Sequence, residues 1–451
     1  MRKPALLLSI ACLAACAKEP AARSAGAAPA TTAGQAQEAS AGQAGSGADK
    51  NRLLAFMKPG GATAVDKSIE ALQTMIERQP DKLEAWVALG NAWILKARDT
   101  QRPSLYLNAG ACADSVLARQ PINRPALALK GLVLMNDHRF EEARALMAGT
   151  LQRTPDDPVA WGTISDAQLE LGQTKEAVAS AQRMMDIKPN LPSYSRAAHL
   201  QWLHGDVAAA RESIRLAIDA GTDGRDKEPR AWVIVQAAMM FWQEGDADGA
   251  EAGFDSALTW LPGFAPAQVG KARVLLGRGD GASAAKLLEQ AYKTIPLIET
   301  GWLLGDAREV AGDAAGAAKI RGELARWGRA TDPRTLALFW ATKNIESDSA
   351  LELASEERKT RDDQYTEDVY AWALYRKGRL DEALAASEKA NALGTRDARL
   401  WYHAGAIRLA KGDVKRGREL IQKALQLNPK FDLTGAAEAR KLLETKVSAA
   451  R

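Results

Sequence analysis

The chain is 451 residues long, with 60 Lys and Arg against 56 Asp and Glu and a formal charge of +4. That length exceeds what one compact core needs and leaves room for several domains or a repeat array. Opposite charges are closely interspersed, so no one-signed field marks a nucleic-acid partner.

The opening, MRKPALLLSIACLAACAKEP, sets Arg2 and Lys3 before an apolar run from Ala5 to Ala15, followed by a cysteine. A basic start, a short apolar segment and small residues at a cleavage point describe a secretory signal. The run falls far short of the ~20 residues that a spanning helix needs. LAAC, Leu13 to Cys16, resembles the bacterial lipobox. That resemblance implies a signal peptide over 1–15, cleavage before Cys16, and acylation of Cys16 on its sulfur and new amino group. Several acyl chains anchor stably, whereas one holds only marginally. Ala17 stands where many inner-membrane lipoproteins carry aspartate, which implies the outer membrane, with the protein facing the periplasm. The alternative is an ordinary signal peptide whose site lies beside a cysteine.

Loss of Arg2 and Lys3 with the signal lowers the charge from +4 to +2. Cys12 leaves too and Cys16 is acylated, so Cys112 is the free thiol that remains and no intramolecular disulfide is expected. Within AGACADS, Cys112 reads as packed on a helix face, with an exposed redox thiol as the alternative.

Residues 17–50 are mostly Ala, Gly, Ser, Thr and Gln and cannot bury enough apolar surface to offset ordering entropy. They predict a disordered tether spanning roughly 30 Å. Beyond it the chain repeats. Turn sequences recur at Gly172, Gly205, Gly245, Gly279, Gly312, Gly378 and Gly412, at intervals of 33, 40, 34, 33, 66 and 34. The interval of 66 is two periods, its missing member being NIESDSA at Asn344. Five residues after each Gly stands a small residue: Ala177, Ala210, Ala250, Ala284, Ala317, Ala383 and Gly417. Gly ends one helix in a left-handed conformation, the small residue lets the next helix approach closely, and a proline closes the unit. Each helix pair exposes an apolar face that only the next pair covers. The most apolar stretch, Ala231 to Trp242, is twelve residues long and reads as a buried helix.

The unit resembles the tetratricopeptide repeat. WVALGNAW (Trp86 to Trp93) carries Trp, Leu-Gly and an aromatic at that family's spacing, and Leu400 to Pro429 is the fullest copy. The resemblance covers roughly residues 65 to 430, within a predicted array over 51–430 of about nine or ten units. It implies an all-α fold, a tetratricopeptide-type α-solenoid wound as a right-handed superhelix. Two departures stand out, an insertion around RDTQRPSLYLN and a polar break at 221–229, either of which is expected to bend the superhelix or divide it into two segments, the division falling near 221–229. Residues 431–451 predict a capping helix.

No catalytic constellation emerges. His138, His199, His204 and His403 lack the spacing of three or four that places metal ligands on one helix face. No GxSxG, P-loop or HExxH motif occurs. Adjacent acids such as Glu356 and Glu357, or Asp362 and Asp363, read as solvated. The expectation is a non-enzyme without cofactor or metal.

In the family, first helices of each pair line a concave face that binds peptides or protein segments. Carrying that frame along this sequence implies groove positions at Asn91, His199, Trp202, Trp232, Met239, Trp242, Arg273, Phe339, Tyr365, Asp368, Trp372 and Tyr375. Aromatic and methionine side chains there provide large contact area at low entropy cost. The competing reading of the tryptophans is packing between helices. The leading functional expectation is an interaction scaffold for a protein or extended peptide of the cell envelope, in polysaccharide export, pilus secretion or outer-membrane assembly. The alternative is direct glycan or lipid binding by the groove aromatics.

Overall fold

In the computed structural model, residues 49–445 are described, apart from residue 101 and residues 222–225. The signal segment, Cys16 and nearly all of the expected tether lie outside the described residues. All regular structure among those described is helical. A helical stretch at 49–55 precedes α1 (Ala64–Arg78). Pairs then follow: α2 (Leu83–Asp99) with α3 (Tyr106–Leu117), α4 (Arg124–Asn136) with α5 (Phe140–Leu151), and α6 (Pro158–Glu170) with α7 (Thr174–Ile187). Next come α8 (Leu191–Leu203) with α9 (Val207–Ala220), α10 (Glu228–Gln243) with α11 (Ala247–Trp260), and α12 (Ala265–Gly277) with α13 (Gly281–Thr294). The series continues with α14 (Ile298–Val310) and α15 (Ala314–Thr331), α16 (Pro333–Lys343) and α17 (Ser347–Glu357), and α18 (Gln364–Arg376) and α19 (Leu380–Ala390). It ends with α20 (Ala398–Ala410), α21 (Val414–Leu427) and a single helix α22 (Leu433–Glu444). The fold is an all-α, tetratricopeptide-type solenoid. No described helix is long and apolar enough to cross a membrane.

Turn chemistry sets the period. The seven repeat glycines all take positive φ, between 72° and 89°, which costs a residue without Cβ little. The following aspartate then caps the second helix. Asp206, Asp246, Asp280, Asp313 and Asp413 accept the backbone N–H three residues on, satisfying a donor that the helix cannot. Where glycine is missing, other residues adopt the same backbone: His138 at φ 58°, and Asn344 and Glu346 at 53° and 48°. The small residues are buried, from Ala177 through Gly417. In the last pair, a methyl on Gly405 would lie 2.8 Å from the Gly417 carbonyl, so α20 and α21 meet backbone to backbone.

The chain divides into two compact units, with the boundary between Thr163 and Ile164, inside α6. The stretch at 221–229 is not that boundary. A methyl on Gly221 would lie 2.7 Å from Leu191 and 3.1 Å from the Arg230 Cβ, so α8 and α10 close around the end of α9. The insertion near residue 100 is absorbed by a long α2 and a 3-10 turn at Pro103–Leu105.

In the first unit, Trp86, Leu89, Trp93, Cys112 and Leu129 form the core. The Trp93 indole donates to the Ala55 carbonyl at 3.1 Å and Asn108 Nδ2 to the Leu54 carbonyl at 2.7 Å, which fixes the 49–55 stretch against the repeats. Lys96 pairs with buried Asp66. In the second unit the largest core runs from Ile298 to Ala439 and takes in Phe339, Trp372 and Tyr402. The terminal helix α22 buries Gly435, Ala436 and Ala439, and its Glu438 accepts from Tyr402 at 2.6 Å and Arg376 at 2.7 Å.

Candidate functional site

The second unit does not present an open concave wall. Three early turns lie against three late connectors. At the first rung the Asp362 N–H donates to the Glu170 carbonyl at 3.0 Å, and Arg361 lies 3.2 Å from the Glu170 carboxylate. At the second, the Thr395 hydroxyl donates to the Leu203 carbonyl. At the third, Asn428 Nδ2 donates to the Trp242 carbonyl at 2.7 Å. Between the last two, Arg396 grips the Glu244 carboxylate with two hydrogen bonds, 2.9 and 3.0 Å. Each accepting carbonyl belongs to the last turn of α6, α8 or α10, that of Trp242 also accepting the Gly245 N–H at 3.0 Å.

A cavity of about 260 Å³ sits at the first rung, lined in part by His199, Arg334, Asp363, Tyr365, Glu367 and Lys389. Arg334 lies 3.3 Å from Asp363, and Arg358 holds Glu367 at 2.8 Å, so these charges are paired within the protein. Burial pulls His199 down to about 4, despite the opposing field of Asp363, so the imidazole is neutral at pH 7. Burial pushes the Tyr365 phenol well above its ordinary value.

Closure corrects the groove expectation. Trp202 is 6%, Trp242 3%, Phe339 0%, Trp372 1% and Asp368 1% exposed, so none of the five stands on an open face. Trp202 packs with Leu203 in a cluster joined by Tyr365 and Leu393 from the late repeats. Phe339 packs on Trp302, with ring centroids 5.5 Å apart. The His403 ring stacks on Trp372 at 4.0 Å while its Nδ1 meets Asp368 at 2.9 Å. That stack continues through Tyr375, 4.7 Å from Trp372 and half-buried. His199 and Tyr365 line the cavity. Trp232 and Met239 are half-buried at the margin of the Phe254 cluster, and Arg273 is taken up by Glu299 at 2.6 Å. Asn91 is half-buried in the first unit.

Sequence reasoning missed the residues that close the seam: Arg361, Asp362, Thr395, Arg396 and Asn428. Their one visible signal is polar chemistry in connectors between repeats, as in GTRD (Gly394 to Asp397) and LNP (Leu427 to Pro429). Among the described residues no group of three or more His, Cys, Asp or Glu is arranged to hold a metal ion.

Helix pairs of this length and turn geometry, stacked so that each covers the next, define a repeat solenoid whose product is surface. The chain carries tetratricopeptide repeats: sequence profiles described as tetratricopeptide repeat match residues 134–201 and 241–296, and a second profile of that description matches 370–430. Over 262 residues the chain is 29% identical to cellulose synthase operon protein C of Pseudomonas fluorescens, covering 54% of this chain and 19% of that relative's length. Similar solved structures include PilW, titled a widely conserved type IV pilus biogenesis factor, with 17% identity over 47% of this chain and 94% of that one and a TM-score of 0.39. Human IFIT1 in complex with m7Gppp-AAAA matches at 14% identity over 84% and 94% of the two chains, with a TM-score of 0.44.

Proposed function

We propose that this protein is a non-catalytic scaffold, fastened through Cys16 to the outer membrane facing the periplasm, whose repeats bind a protein or peptide partner in a cell-envelope machine. The observation that carries the scaffold reading is the array itself: among the described residues, ten helix pairs whose side chains serve stacking and turns. Buried charges serve the fold: Arg196 pairs with Asp166 at 2.6 Å and Lys343 with Asp306 at 2.7 Å, while buried Asp332 and Asp397 cap helices. The similarity to a cellulose synthase operon protein supports a polysaccharide-export assembly as the setting to test first. The anchor rests on LAAC at residues 13–16 and on the basic, apolar stretch before it.

Direct glycan or lipid binding gains no support from Trp202 and Trp242, which are buried. The test is in vivo crosslinking of the full lipoprotein, purification, and mass spectrometry of both its N-terminal peptide and the material bound. The expected result is acylated Cys16 and one dominant envelope protein. An unmodified mature N-terminus overturns the anchor; glycan without a protein partner overturns the scaffold reading.

A further inference from the structure

The cavity at the first rung has polar atoms in its wall that the fold does not satisfy. Gln364 and Glu367 stand three residues apart in the first turn of α18, side by side on one face, and both line the cavity. Gln364 is 8% exposed, and its carbonyl oxygen accepts from the Thr395 hydroxyl at 3.0 Å. The Tyr365 phenol is near this side chain, yet the Gln364 amide nitrogen forms no aligned hydrogen bond among the described residues. Glu367 is 2% exposed. One of its oxygens takes both hydrogen bonds from Arg358, 2.9 and 2.8 Å, and the other has no donor among the described residues. The Asp362 carboxyl is within hydrogen-bonding reach of Glu367, but two carboxylates accept and neither donates. Buried donors and acceptors left in this state are costly, and native folds keep few of them.

An occupant that satisfies both residues carries an N–H donor beside an oxygen acceptor. The surroundings set its charge. Burial alone would lower the Arg334 pKa, yet Asp363, Glu170, Asp332 and Glu357 together raise it, so the field at that end of the cavity is negative. His199, neutral at pH 7, adds no positive charge. Lys389 lies 3.6 Å from the Glu367 oxygen that Arg358 already holds, so it leaves the second oxygen without a donor. An anion finds no free helix end, because Asp363 accepts the Tyr365 and Thr366 N–H groups at 2.9 and 3.3 Å. Leu169, Leu203 and Leu393 give the cavity an apolar wall, and the exposed Asp362 and Lys389 mark where it meets solvent.

We propose that this cavity receives the amino-terminal residue of a peptide: its ammonium donates to Glu367 and Asp362, its first carbonyl accepts from Gln364, and an apolar first side chain lies against Leu169, Leu203 and Leu393. An internal peptide segment offers a neutral N–H and no cation. A lysine side chain holds its ammonium four methylenes away from the main chain, whereas Gln364 and Glu367 are neighbours. The proposal deepens the scaffold reading and rests on it for a peptide partner.

The test is isothermal titration calorimetry of the full-length protein with leucyl-triglycine amide, its N-acetylated form and leucinamide. Glu367→Gln and Asp362→Asn are titrated alongside, with circular dichroism to read their folding. The free tetrapeptide should bind, and acetylation or Glu367→Gln should weaken it by about tenfold or more, the loss of one charge-assisted hydrogen bond. Asp362→Asn should weaken it less. Asp362 is exposed, so that variant keeps the test open if Glu367→Gln, which also loses charge opposite Arg358, unfolds. Equal binding of the acetylated peptide, or affinity unchanged in Asp362→Asn and in folded Glu367→Gln, overturns the proposal. So does binding of leucinamide without the tetrapeptide, which makes the cavity a site for a free amino-acid derivative. Absence of binding by all three ligands overturns it too, and leaves the scaffold reading to the crosslinking experiment, whose failure in turn leaves these titrations unaffected.

Discussion

Buried ion pairs and one buried thiol are where single residues matter most. Asp66 is 1% exposed, and its hydrogen bonds from Lys96 and Thr63 lower its pKa from 3.8 to about 2. A carboxyl depressed in the folded state contributes stability above its unfolded pKa, and that contribution is lost as pH falls through the folded value. The pH dependence of urea unfolding should therefore steepen between about pH 4 and 2, and Asp66→Asn should flatten it there. Arg196 is 2% exposed and holds Asp166 through two hydrogen bonds, 2.8 and 2.6 Å. Arg196→Ala strands a buried carboxylate and is expected to cost about 3–5 kcal/mol in chemical denaturation. Replacing both partners with packed apolar residues should recover most of that loss. Cys112 is fully buried, and burial raises its pKa far above the ordinary thiol value. Native protein should leave Cys112 unlabelled by iodoacetamide, with labelling appearing only on unfolding, as peptide mass spectrometry would read. The sequence alone pointed to Cys112 as packed, because its neighbours are small. It could not orient the tryptophans, because a tetratricopeptide frame puts wall and core positions one residue apart.

At the scale of elements, most of the fold was legible. The Gly beat, the Ala five residues later and the recurring prolines mark a helix pair because each has one local physical job. The degenerate member at Asn344 was legible too, and the structure shows its strain: Glu346 holds φ 48° with a full side chain. Glu346→Gly should raise thermal stability by up to ~1 kcal/mol, since a left-handed residue with a Cβ costs roughly 1–2 kcal/mol and glycine brings back some chain entropy. A fall in melting temperature would show that the glutamate contributes something the turn geometry does not. The stretch at 221–229 shows the limit of such local reading. A polar stretch looks like a hinge in sequence, but Gly221 sits tightly against Leu191 and Arg230.

Across the whole second unit, what sequence could not reveal is distance folded into contact. Arg396 and Glu244 are 152 residues apart and Asn428 and Trp242 are 186 apart, and nothing local in either partner specifies the other. Periodicity predicts that pairs stack; how tightly the stack curls depends on small rotations summed over many repeats. That curl turns an expected open groove into a closed wall. The most direct test puts cysteines in place of Glu244 and Arg396, with Cys112 buried, and adds a short bismaleimide to the native protein. Peptide mass spectrometry should find residues 244 and 396 joined in high yield within one chain, and scarcely at all when 396 is paired with a cysteine at Gly312. If 244 and 396 react separately and are never bridged, the repeats do not close and the seam is not a feature of the protein.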